Sequence, residues 1–275
     1  MKPFERLGNA RTPDGSLLEL FRHDGSYLIR ANGIELMSQR RHLSEDRLAE
    51  VACVGLKSKP GARVLIGGLG LGFTLRAALK EVADDAEVVV AEFLAEVIAW
   101  NANPEYGISV ETLKDPRVRV VHDDIVNVLR NHAGQFDAIM LDTDNGPDGM
   151  IMSENARLYA HRGIATTVAA LRPPGVIAYW SVGDDPAFAH ALGQRTAGGN
   201  AARAGPRHQG ADAHAICGEA AAASPRRLSA TRRSIANERI PARRAQAHRA
   251  GIRGVLKPED QSPKTAASGW GCSLP

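Results

Sequence analysis

The sequence predicts an α/β fold, a doubly wound parallel sheet preceded by a small antiparallel β-hairpin cap. Two observations carry that expectation. Apolar, β-branched runs alternate with helical patterns from Arg63 to Ser181, and two-residue turn signals punctuate residues 16–38. A glycine-rich stretch directly after the first buried run adds a third, because ligands of such sheets sit beyond the carboxyl ends of the strands.

The cap is read from "SLLELFRHDGSYLIRANGIELMS", residues 16–38, three short β-like runs broken at Asp24-Gly25 and Asn32-Gly33. Gly, Asp and Asn tolerate the positive φ that tight hairpin turns need. Ser44 is the expected N-cap of a helix whose apolar positions are Leu48, Val51, Ala52 and Leu56. A Lys-Pro-Gly-Ala turn at 59–62 leads into the main domain. There the strands "RVLIGG", "EVVVAE", "RVRVVHDD", "DAIMLD" and "VIAYWS" alternate with helices, which requires parallel crossover connections. The expected domains are a cap at 1–42, an α/β domain at 43–192 and a basic tail at 193–275.

Composition bounds the function. Hydrophobic residues are 44% and charged residues 24% of the 275, an ordinary globular balance. No apolar run approaches the ~20 residues that span a bilayer, and the N-terminus shows no apolar signal core, so the expectation is a cytoplasmic protein without a membrane partner. Cys53, Cys217 and Cys272 are too scattered for a disulfide framework or a zinc site, and no metal is expected. The net charge of +3 conceals a split: 14 Lys and Arg against 5 acids from Gly193 onward, and 20 against 26 before it. An acidic body repels phosphates, which argues against a nucleic-acid partner.

Four strand endings carry candidate chemistry. Gly68, Gly70 and Gly72 form GxGxG after the first strand. The dinucleotide fingerprint GxGxxG would need glycine where Phe73 stands, and no Lys-Ser or Lys-Thr completes a triphosphate loop. A tight structural turn is an equal reading of these glycines alone. Glu92 closes the next strand about 20 residues on, where a carboxylate accepts hydrogen bonds from both hydroxyls of a ribose. Asp123 and Asp124 end the third strand; they suit an exocyclic adenine amine, and Asp124 also suits a helix N-cap. Asp142 and Asp144 follow the fourth strand, in a loop rich in Asn, Gly and Pro. A carboxylate facing a sulfonium centre can hold and deprotonate an attacking amine.

The order and spacing of "VLIGGLGLGFTLRAAL", "VVVAEFLAEVIAWN", "DPRVRVVHDD", "FDAIMLDTDNGP" and "LRPPGVIAYWS", with the β-rich cap before them, resemble the spermidine synthase-like family over residues 16–192. This family belongs to the class I S-adenosylmethionine methyltransferase fold. The resemblance implies a Rossmann-like, methyltransferase-type sheet and a transferase of polyamine biosynthesis that alkylates a small-molecule amine acceptor. Its co-substrate would be S-adenosylmethionine or decarboxylated S-adenosylmethionine, with Glu92 on the ribose and Asp124, in better register than Asp123, on the adenine. Asp142 takes the place of the catalytic acid that orients or deprotonates the amine, and Tyr159 falls where a tyrosine near the amine is common, although an amphipathic core tyrosine reads equally well there. A homodimer through the cap is the expected assembly.

The chain also departs from that pattern. Its glycine loop carries Leu69 and Leu71 with no acid, Asp144 comes two residues after Asp142 where three is the rule, and the helix after the cap lacks a Tyr-His pair. An S-adenosylmethionine-dependent small-molecule methyltransferase and a non-catalytic module of the same fold therefore stand beside the aminopropyltransferase reading. Beyond Gly193, Ala, Arg, Gly, Pro and Ser dominate and strand patterns vanish. Read one nucleotide late, the codons of residues 211–218 permit Leu-Thr-His-Thr-Leu-Tyr-Val-Ala, a closing strand. The tail is accordingly expected to be disordered and frameshifted, leaving the sheet without its last two strands.

Overall fold

The computed structural model describes residues 3–143, 155–181, 185–196 and, for the backbone, 214–219. All of these lie in one compact unit, Met1–Arg226. The cap is a four-stranded antiparallel meander of β1 (Glu5–Arg11), β2 (Leu17–His23), β3 (Ser26–Ala31) and β4 (Ile34–Ser38). Asp24 and Gly25, then Asn32 and Gly33, all have positive φ, as two-residue hairpin turns with right-handed strand twist require. β1 had no sequence signal: of its seven residues only Ala10 is buried, so no alternation marks it.

Helix α1 (Leu43–Ala52) connects the cap to the main sheet. Its N-cap residue is His42, so the expected N-cap, Ser44, sits inside the first turn. The shift has a local cause. His42 Nδ1 meets Asp46 Oδ2 at 2.8 Å across that turn, and the His42 ring stacks on Phe73 at 4.8 Å. Ser44 Oγ instead donates to Glu45 Oε2.

The main sheet contains β5 (Arg63–Gly67), β6 (Glu87–Glu92), β7 (Val118–His122), β8 (Phe136–Leu141), β9 (Leu171–Ser181) and β10 (His214–Glu219), in the order β10-β9-β8-β5-β6-β7. The first five are parallel, as the alternating pattern requires. Connecting segments form α2 (Phe73–Glu81), α3 (Ala95–Ala102), α4 (Val110–Leu113), α5 (Ile125–Asn131), α6 (Ala156–Tyr159), α7 (His161–Ala170) and α8 (Pro186–Gly193). The central strands are apolar at consecutive positions because both faces are covered. Val64, Ile66, Val88, Val90 and Met140 join one core cluster with Leu48 of α1, Leu75 of α2 and Leu20 and Ile29 of the cap. Leu65, Val89, Ile139 and Leu141 join a second with Val128 and Leu129 of α5 and Ile164 of α7. Period-2 alternation thus sorts each strand onto two helical layers.

The expectation that no strand follows Gly193 is corrected at β10. It pairs antiparallel to β9, with His214 opposite Ser181 and Glu219 opposite Val176. Ladder pairing uses backbone N–H and C=O groups, so a short extended segment without proline can join an edge despite a weak side-chain pattern. The rest of the tail, 197–213 and 220–275, lies outside the described residues, and the expectation of disorder falls there.

Candidate functional site

The carboxyl ends of β5, β6, β7 and β8 open into a cleft. Its apolar wall comes from the cap, through Leu18, Ile29, Leu36 and Met37; its polar wall comes from the strand endings. The cap sits directly on the glycine loop, since a Cβ at Gly70 would lie 2.6 Å from Met37 Cε.

Gly68 is required by close approach. It has φ of +96°, and a Cβ there would lie 2.2 Å from the Asp142 carbonyl oxygen. The loop is tied to the strands on either side: Gly68 N donates to Ala91 O and Asp142 N donates to Gly67 O, both at 2.9 Å. Gly68 and Gly70 line the cleft, whereas Gly72 caps α2 and faces Ser109 instead.

Glu92 is buried at the end of β6, 8% exposed. Oε2 accepts from Leu69 N at 2.9 Å and Oε1 from Leu94 N at 2.8 Å. Burial pushes its carboxyl above the usual carboxylate range, opposed by these backbone donors. Each oxygen retains a lone pair, so the carboxylate is fixed in place and can still accept from a ligand.

Asp123 and Asp124 both line the cleft with different obligations. Asp124 is the N-cap of α5, Oδ1 accepting from Val126 N at 2.8 Å. Its Oδ2 forms an ion pair with Arg157 of α6, which also lines the cleft. Asp123 Oδ1 accepts from Asp124 N at 2.7 Å and Asn127 Nδ2 at 3.0 Å.

Asp142 and Thr143 follow β8. Asp142 Oδ2 accepts from Thr74 Oγ1 at 2.5 Å. Among the described residues, Asp142 Oδ1 and Thr143 Oγ1 are enclosed side-chain atoms without a hydrogen-bond partner, and both residues line the cleft. The Asp142 carboxyl is pushed up to about 7, first by burial and then by the charge of Glu45 on α1, against the Thr74 hydrogen bond. Asp144 lies outside the described residues.

Tyr159 stands apart from this group. It packs against Tyr179 and Phe188 in the core, and its hydroxyl donates to Trp180 O at 2.9 Å. The structure thus gathers Gly68, Gly70, Glu92, Asp123, Asp124 and Asp142 around one cleft, and leaves Gly72 and Tyr159 off its lining. Thr74, Arg157 and Glu45 were not found from the sequence. Glu45 alone carried a signal: an acid three and four residues before buried Leu48 and Ala49 lies on the apolar stripe of its helix. Among the described residues no group of three or more His, Cys, Asp or Glu is arranged to hold a metal ion, and no helix is long and apolar enough to cross a membrane.

Comparison with known proteins agrees with this geometry. No family model matches the chain. It is 32% identical over 144 residues to the polyamine aminopropyltransferases of two strains of Leptospira biflexa serovar Patoc, a match covering 49% of this chain and 47% of each relative. The chain therefore spans about half the length of the curated relatives it matches. The spermidine synthase of Thermotoga maritima superposes with a TM-score of 0.54 at 20% identity, over 69% of this chain and 63% of that one. A spermidine synthase solved in complex with the transition-state analogue AdoDATO superposes at 0.55 and 17% identity, over 78% and 72%. In sequence the chain is similar to polyamine aminopropyltransferases over the matched half, and in fold it is similar to spermidine synthases.

Proposed function

We propose that this chain binds an adenosyl sulfonium in the cleft and transfers an alkyl group from it to an amine acceptor. The observation that carries the reading is the enclosed Oδ1 of Asp142, which like Thr143 Oγ1 has no hydrogen-bond partner among the described residues, in the cleft beside the glycine loop. Buried polar atoms without partners are uncommon in folded proteins, and a carboxylate so placed is suited to an ammonium donor. Glu92 would accept from the ribose hydroxyls. Asp123 or Asp124 would accept from the adenine amine, and Asp124 is already engaged by Arg157.

Asp142 would hold the acceptor amine and take its proton as the nitrogen lone pair forms the new N–C bond. The C–S bond breaks at the same carbon, and its electron pair returns to sulfur as a neutral thioether. A carboxyl pushed up to about 7 is matched to that proton transfer near neutral pH.

Decarboxylated S-adenosylmethionine is the donor that the charges favour. Arg157 is the only Lys or Arg among the described residues lining the cleft, and it is paired with Asp124, so a donor carboxylate would face an acidic wall. Methyl transfer from S-adenosylmethionine retains one favourable observation: Leu69 and Leu71 are buried apolar side chains, so the loop offers no acid to the terminal ammonium of a decarboxylated donor. Isothermal titration with both donors separates the readings. Tighter binding of the decarboxylated form supports aminopropyl transfer, tighter binding of the carboxylated form supports methyl transfer, and no heat from either refutes both.

A further inference from the structure

We propose that Asn101 of α3 and Ser109, the residue before α4, are positioning residues for the donor-binding loop, a two-point clamp that holds the second half of the glycine loop in shape before a ligand arrives. This rests on the transferase reading above and extends it to two residues outside the cleft lining.

The first half of the loop is fastened to the end of β6: Gly68 N donates to Ala91 O and Leu69 N to Glu92 Oε2, both at 2.9 Å. The second half is fastened by side chains. Asn101 Nδ2 donates to Gly70 O at 2.8 Å, and Ser109 Oγ donates to Leu71 O at 3.0 Å. Both residues are buried, and neither lines the cleft, so the two carbonyls they hold are drawn away from it while Gly70 itself stays on the lining.

Each side chain is out of place without this task. Asparagine is a weak former of helix interiors, and at a buried helical position an apolar side chain would satisfy packing alone. Ser109 is the N-cap of α4, where a serine oxygen ordinarily accepts from a backbone N–H of the first turn; it makes no such bond and donates to the loop instead. The clamp also accounts for Gly72, the glycine that the cleft does not use. Its φ is +77°, and a Cβ there would collide with Ser109 Oγ. The chain between the two clamping residues has a fixed base in the cap, since Tyr27 Oη donates to Tyr106 O at 2.6 Å and Tyr106 Oη donates to Leu7 O at 3.1 Å. Beyond Gly72 the loop runs straight into α2, whose Thr74 donates to Asp142, so a loop held in shape also holds the acid.

Amide hydrogen exchange of the free full chain tests the clamp, for wild type, Ser109→Ala, Asn101→Leu and the double variant, with thermal melting alongside. A buried carbonyl left without its donor should speed exchange at Leu69 N and Gly72 N roughly tenfold while the amides of β8 keep their wild-type rates. Titration with S-adenosylmethionine and its decarboxylated form should show affinity falling by a similar factor, and affinity for adenine alone should hold. Loop exchange equal to wild type overturns the proposal. So does exchange that quickens equally in the loop and in β8 as the melting point falls, or an equal loss of affinity for adenine and donor, because either result assigns the two side chains to packing. Ser109→Ala removes a single oxygen and decides the matter should Asn101→Leu not fold. A wild type silent toward both donors refutes the transferase reading, and the exchange rates then still decide the clamp, so the two failures are distinct.

Discussion

Thr74 Oγ1, in the first turn of α2, donates to Asp142 Oδ2 at 2.5 Å and so ties the helix after the glycine loop to the acid at the end of β8. The bond favours the charged carboxylate and opposes the rise caused by burial. Thr74→Val keeps the shape and removes the donor. The Asp142 pKa should rise above about 7, and because the base acts only when deprotonated, the acid limb of the rate profile should move to higher pH. An unmoved limb would show that the hydrogen bond does not govern Asp142.

Gly68→Ala places a Cβ 2.2 Å from the Asp142 carbonyl at a φ of +96°. Strain of this kind costs about 1–3 kcal/mol. The variant should melt several degrees lower and bind donor more weakly, which calorimetry and titration measure together. A melting point equal to wild type would mean that the loop relaxes freely.

Glu92→Ala removes the acceptor of Leu69 N and Leu94 N and the expected acceptor for the ribose. Nucleoside binding should weaken by about 1–3 kcal/mol, roughly five- to 150-fold. The control is adenine without its sugar, whose affinity should change much less. Equal losses for both would place the effect in the loop and not at the ribose.

Arg157→Ala releases Asp124 Oδ2 from its ion pair. If that pair competes with the ligand amine, donor affinity should rise, and inosine-type analogues lacking the amine should gain nothing. A loss of affinity for both kinds of ligand would assign Arg157 to the ligand itself.

The parallel sheet was legible because its central strands carry consecutive apolar residues, and the hairpins because Asp24-Gly25 and Asn32-Gly33 state their turn type. β1 was not legible, since its single buried residue gives no period, and neither was β10, which joins the edge of β9 through its backbone. Strand endings located Glu92, Asp123, Asp124 and Asp142, because topology alone brings them to one face. Thr74 and Arg157 reach their partners across 68 and 33 residues of chain, and no local pattern encodes such pairings. Tyr159 illustrates the converse: an amphipathic residue at a suggestive position whose hydroxyl is used by the Trp180 carbonyl.

The most direct measurement is a single-turnover reaction of the folded chain with decarboxylated S-adenosylmethionine and a panel of aliphatic diamines, following release of the adenosyl thioether, for wild type and Asp142→Asn. Wild type should release thioether only when an amine is present, and Asp142→Asn should bind donor comparably yet react roughly 100-fold more slowly or worse, the scale of losing a general base. Equal rates from the two proteins, or donor binding in wild type with no amine-dependent thioether, would contradict the assignment of Asp142 as the base of an amine-alkylating transferase.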